Sequence, residues 1–173
     1  IYPQFLRDLF IQAFTVGLHD PHQRVRESQW RGAMMQLRDS LLYCGHCGAE
    51  NCYDGEALRM AGGQLGPCWS CQKPLILPFR LRLDRHVVML NHDTQLFPHH
   101  LDRQRHYDLS QPWAAVQRHP QNPNLWGLKN QSPAKWVITT PDAKIRDVEP
   151  GRSVSLTAGV KVNFGSVEGE IRI

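Results

Sequence analysis

No apolar run in this sequence of 173 residues approaches the ~18 to 20 needed to cross a bilayer. It also has no positively charged start leading through an apolar stretch to a small-residue cleavage site, so a secretory leader is not expected. The expected protein is soluble and cytoplasmic, with no membrane partner. There is no initiator Met, which suggests a piece of something longer. Internal repeats and low-complexity linkers are missing too, which argues for closely packed segments. Nor is there a basic arm. The 20 Lys and Arg against 16 Asp and Glu give a net charge of +4, spread along the chain without interleaved aromatics. A nucleic-acid binder is therefore the least supported reading. The hydrophobic share of 41% and charged share of 21% are those of a globular chain, long enough for one core or two small ones plus an accessory module.

What the sequence does have is five cysteines, four of them in two Cys-x-x-Cys pairs within "CGHCGAENCYDGEALRMAGGQLGPCWSC". Without a secretory signal, such short-spaced pairs favour zinc in a reducing compartment over disulfides. Each pair delivers two thiolates from one tight knuckle, so Cys44, Cys47, Cys68 and Cys71 complete a tetrahedron around one zinc ion. Gly45, Gly48 and Gly66-Pro67 suit the turns. Four thiolates leave no open position for water or substrate, so the expected zinc is structural. Cys52 is left over, read as a substitute ligand, a redox sensor or a small half-buried residue between ribbon strands. Trp69, between the second pair of ligands, reads as a partner-binding aromatic or as the cover of its own small core.

On either side the apolar period differs. Phe5, Leu6, Leu9, Phe10, Ala13 and Phe14 mark one helical face, closed by Gly17 and Asp20-Pro21. Trp30, Ala33, Met34, Leu37 and Leu41 mark a second helix from about Glu27 to Leu41. After Cys71 the chain breaks into short β-branched or alternating runs, "FRLRL", "HVVML", "AAVQ", "KWVIT", "VSLT", "VKVNFG" and "GEIRI", punctuated by Pro120, Pro123, Pro141-Asp142 and Pro150-Gly151. The predicted fold is mostly β. An antiparallel β-sandwich over 76–173 follows a four-cysteine zinc ribbon over 43–75 and a helical hairpin over 1–42.

The stretch "LFIQAFTVGLHDPHQRVRESQW" resembles the end of a protein kinase C-terminal lobe: an apolar helix, a Leu-x-Asp-Pro-x-x-Arg link and a last helix beginning near a Trp. The resemblance implies that Arg24 pairs with a Glu of the kinase activation segment, which this chain lacks. The glycine-rich phosphate loop, the His-Arg-Asp loop and the Asp-Phe-Gly loop are also missing. Those parts position ATP, magnesium and the acceptor hydroxyl, so the chain is not expected to be an enzyme by itself. A catalytic portion would lie upstream.

"DLSQPWAAV", "WGLKNQSPAKWVI" and "VEPGRSVSLTAGVKVNFG" resemble a forkhead-associated domain, a β-sandwich that reads phosphothreonine. The closing strand pair fits through Leu156, Gly159, Val162 and Gly165. Ser110 matches the family's phosphate-binding Ser, but Gln111 replaces the Arg after it. His99 or His100 stands near another Arg position, and Lys135 stands near the Asn of a Ser-x-Asn-Gly-Thr turn. A phosphothreonine dianion needs convergent cationic and hydroxyl donors. The candidate phosphate or partner-binding residues are therefore Ser110, Lys129, Lys135, Arg103 and Arg105, with Trp69 on the ribbon. The histidine-rich stretch from His86 to His119 reads as surface loops, with a second metal site as the alternative.

Taken in order, these segments resemble the C-terminal portion of bacterial serine/threonine kinases from tellurium-resistance-type operons, where the kinase is grouped with a phosphatase and a von Willebrand A protein. The resemblance implies a non-catalytic regulatory module that docks onto the von Willebrand A partner, with zinc fixing domain geometry. The alternative is a reader of phosphothreonine peptides.

Overall fold

The structure, a computed structural model, describes residues 2–84 and 86–173. It is mostly β with antiparallel sheets, and it divides into two compact units at Leu77/Pro78. No helix among the described residues is long and apolar enough to cross a membrane.

The first unit opens with α1 (Gln4–Phe14), started by Pro3, and a short α2 (Val16–His19). The break between them falls at Thr15 (φ −119°, ψ −96°), two residues before the predicted Gly17 stop. The Thr15 hydroxyl turns back to donate to the Ile11 carbonyl at 2.6 Å. Gly17 serves another purpose: a Cβ there would lie 2.9 Å from the Gln12 carbonyl oxygen and 3.2 Å from that of Gln23. Its absence seats α2 on the 3-10 turn Pro21–Gln23, which Asp20 caps by accepting from the His22 amide at 2.8 Å.

Helix α3 (Glu27–Asp39) follows and ends before Leu41, which belongs to strand β1 (Leu41–Tyr43). The predicted stripe consequently divides. Trp30 meets Phe10 of α1 edge to face at 5.0 Å, while Met34, Leu37 and Leu41 line a groove shared with the cysteine segment. Of the α1 stripe only Leu6 is buried, while Phe10, Ile11, Phe14, Val16 and Leu18 are exposed.

The second unit holds two antiparallel sheets. One comprises β5 (Gln95–Leu96), β6 (Ala114–His119), β7 (Asn122–Asn130) and β10 (Ser153–Ser155), in the order β10-β7-β6-β5. The other comprises β3 (Arg80–Arg82), β4 (Val87–Met89), β8 (Trp136–Thr139), β9 (Ile145–Val148), β11 (Lys161–Asn163) and β12 (Glu168–Arg172), in the order β4-β3-β12-β11-β8-β9. Inward residues of both, among them Leu81, Val88, Leu96, Val116, Leu128, Trp136, Val162 and Ile171, form one apolar cluster. Gly159 and Gly165 take φ of +84° and +105° at the turns bracketing β11, a conformation that disfavours any side chain.

Strand β7 has no counterpart among the runs read from the sequence. Pro123 was expected in a turn. It lies instead in an irregularity of the β6–β7 hairpin, where Arg118 pairs with Trp126 but His119 pairs with Asn122. A bulge is where a strand tolerates a residue with no amide to donate. At the other end of β7, Asn130 is fully buried with both ends of its amide satisfied. Its Nδ2 donates to the carbonyls of Ala134 (2.9 Å) and Val148 (3.0 Å), and its Oδ1 accepts from the amide and hydroxyl of Ser132. The Trp136 indole donates to that same hydroxyl at 3.2 Å.

Candidate metal centre

Strand β1 runs from α3 straight into Cys44, and β2 (Glu50–Cys52) returns beside it with Leu42 opposite Asn51. The turn between them is the first knuckle: the Cys44 amide donates to Ala49 O and the Gly48 amide to Cys44 O, both at 2.9 Å. The second knuckle repeats the pattern. The Cys68 amide donates to Lys73 O and the Gln72 amide to Cys68 O, again at 2.9 Å, above a single bridge between Pro67 and Pro74. Corresponding residues Gly48 and Gln72 both take positive φ, +73° and +58°.

A short helix, α4 (Gly55–Met60), lies between the knuckles. Asp54 caps it, accepting from the amides of Glu56 and Ala57 at 3.0 Å, and also accepts from the Gln4 amide at 3.2 Å. A further bond from the Tyr53 amide to Ser40 O, 2.7 Å, fastens the segment to the end of α3.

The knuckles bring the four sulfurs within 4.8 Å of one another. Cys44 and Cys71 are 3.7 Å apart, as are Cys47 and Cys68. A tetrahedron with metal–sulfur bonds of about 2.3 Å requires sulfurs about 3.8 Å apart, whereas a disulfide requires about 2.05 Å. The spacing is that of ligands, and the four residues can hold one metal ion.

Backbone amides aim at the sulfurs. Those of His46 and Cys47 hold the Cys44 thiol below the ordinary range. That of Cys71, helped by Ser70 and the Asn51 side chain, brings Cys68 down to about 6. At Cys71 the Lys73 amide pulls the same way, but burial and the thiols of Cys47, Cys44 and Cys68 outweigh it and push the pKa up to about 11. A bound cation favours the thiolate form of such a cluster.

Asn51 was not singled out by sequence reasoning. It is 6% exposed; its Nδ2 donates to Ala49 O at 2.9 Å and to the Cys68 sulfur at 3.6 Å, and its Oδ1 accepts from the Trp69 amide at 3.2 Å. A lone Asn between two cysteine pairs carries no local signal. Trp69 itself is half exposed, its indole nitrogen donating to Glu50 O at 2.7 Å. It lines the groove with Tyr2, Met34, Leu37, Leu41 and Cys52. Cys52 stands outside the sulfur cluster on β2, half buried, and burial raises its pKa.

The candidate phosphate-binding residues lie in the second unit, on separate elements: Ser110 in the loop before β6, Lys129 on β7 and Lys135 just ahead of β8. The Ser110 side chain and amide both engage Asp108, holding that carboxyl below its ordinary range. Arg103 pairs with Asp84, and Arg105 contacts Asp102 and Asp108. Lys135 meets Asp147 at 2.6 Å, which raises its pKa. Arg103, Arg105 and Lys135 already face carboxylates.

The expected surface position fails for His99 and His100, which are 8% and 3% exposed on the short helix α5 (Pro98–Leu101). Their Nδ1 atoms accept from the amides of Tyr107 (3.0 Å) and Phe97 (2.9 Å), so in each neutral ring Nε2 carries the proton and offers no lone pair to a metal. Among the described residues, the four cysteines are the one group of three or more metal-binding side chains whose donor atoms converge. Compared with protein families, curated proteins and solved structures, the chain matches none.

Proposed function

We propose that this chain is a non-catalytic docking and regulatory module of a bacterial serine/threonine protein kinase, that it binds a von Willebrand A protein, and that Cys44, Cys47, Cys68 and Cys71 hold one structural zinc ion. In this reading the second unit is a forkhead-associated-like β-sandwich. The observation that carries the proposal is a closed set of four thiol ligands built directly onto the end of a helical hairpin that leaves several large apolar side chains exposed. Four sulfurs fill the coordination sphere, so the ion supplies a fixed cross-link and no reactive position. Exposed Phe10, Ile11, Phe14, Val16 and Leu18 suit helices that close a larger helical lobe, and Arg24, the residue of the kinase-like link, is exposed as well.

The test is a calorimetric titration of the zinc-loaded chain with a purified, dephosphorylated von Willebrand A protein from such an operon. Saturable binding that is lost on chelation is expected. No binding would overturn the docking role. Micromolar binding to threonine phosphopeptides that disappears in Ser110→Ala would replace it with the phosphothreonine reading, and steeply salt-dependent DNA or RNA binding with the nucleic-acid one.

A further inference from the structure

Asn51 is buried, and its side chain hydrogen-bonds to both knuckles. On the first it holds Ala49 O, the carbonyl that also receives the Cys44 amide. On the second it donates to the Cys68 sulfur and accepts from the amide of the next residue, Trp69. The contacts to the second knuckle span 17 and 18 residues of sequence. A primary amide suits this place because it combines two donors with an acceptor on one rigid plane. An aspartate would keep the acceptor and lose both donors. A leucine would keep the volume and lose all three bonds.

We infer that Asn51 is a positioning residue of the metal centre: it brackets the two knuckles so that the four sulfurs stand ready for the ion, and its N–H tempers the charge that the Cys68 thiolate donates. This rests on the reading of the four cysteines as a metal site. Two effects follow from one amide. Bracketing lowers the ordering cost of binding, because the second pair of sulfurs is already placed when the first engages. The N–H···S bond withdraws electron density from one ligand, as outer-shell hydrogen bonds do at metal centres, where their loss typically costs 10- to 100-fold in affinity.

The experiment compares the full chain with Asn51→Asp and Asn51→Leu. Zinc affinity is measured by competition with a chromophoric chelator, and the cobalt(II)-loaded forms are read by absorption. Expected are a 10- to 100-fold loss of zinc affinity in both variants and a shift of the sulfur-to-cobalt charge-transfer band to lower energy, the sign of a more electron-rich Cys68 thiolate. A purely structural role would leave that band in place in any variant that still binds cobalt through four sulfurs. Asn51→Asp retains the acceptor for Trp69, so it decides the matter if Asn51→Leu fails to fold. Wild-type affinity and an unshifted band in Asn51→Asp would overturn the inference while leaving the metal site standing. A wild-type chain that takes up neither zinc nor cobalt would overturn the metal site and the inference together.

Discussion

Gln72 occupies a conformation that its counterpart Gly48 adopts without strain. A side chain in the left-handed region costs on the order of 1 kcal/mol, and here the offsetting contact is one exposed bond from Gln72 Nε2 to Trp69 O at 3.0 Å. Gln72→Gly should therefore raise the stability of the metal-loaded first unit by about 0.5 kcal/mol, and Gly48→Ala should lower it by about 1 kcal/mol. Thermal melts of the zinc form would show both, and a lowered melting temperature for Gln72→Gly would refute the strain argument. Asp54 is a second single-residue lever. Burial pushes its carboxyl up, but the amides of Ala57, Gln4 and Glu56 prevail and hold its pKa below the ordinary value. A depressed folded-state pKa contributes stability above the unfolded value, lost as pH falls through the folded one. The stability difference between wild type and Asp54→Ala should then be about 1 kcal/mol at pH 7 and shrink below about pH 4. A gap that stayed constant down to pH 2 would assign it to packing.

Among the elements, the join between β7, β8 and β9 depends on a polar group rather than an apolar one. Asn130→Leu removes a donor from each of the Ala134 and Val148 carbonyls and leaves the buried Ser132 amide without its acceptor, so it should cost about 3 kcal/mol or more despite the larger hydrophobic surface. Denaturant unfolding of the second unit measures this; a cost below 1 kcal/mol would mean that water replaces the amide. Strand β12 fails differently. A Cβ at Gly169 would stand 2.9 Å from methyl carbons of both Leu81 and Leu83, so Gly169→Ala should overpack the core by about 1 to 3 kcal/mol. The same elements show why the sequence was partly legible. The knuckles were readable because ligand spacing is local chemistry, and β3, β4, β6, β8 and β12 because alternation is local too. Strand β7 was hidden by Pro123, a turn residue that the bulge absorbs. Helix α4 was hidden by lying in a glycine-flanked loop where the Asp54 cap substitutes for apolar periodicity. The burial of His99 and His100 and the bracket at Asn51 depend on partners distant in sequence, which one chain read linearly does not reveal.

For the whole molecule, two units with separate cores should respond separately to loss of the ion. Chelation should abolish the melting transition of the first unit, whose described helices bury little of their own, and leave that of the second unchanged. Calorimetry with and without chelator would show this; equal loss of both transitions would mean that the ion supports the entire chain. One feature of the first unit also governs how the ion comes and goes. Each knuckle is closed by its own pair of backbone hydrogen bonds, so each presents two sulfurs as a two-toothed claw. An ion that meets one pair of sulfurs finds the other pair already beside it, all four lying within 4.8 Å of one another. Departure reverses the order, through an intermediate gripped on one side only, and a competing chelator can seize the ion at that moment. Removal of an ion held by the four cysteines should then run pair by pair, at a rate that climbs with the concentration of a competing chelator.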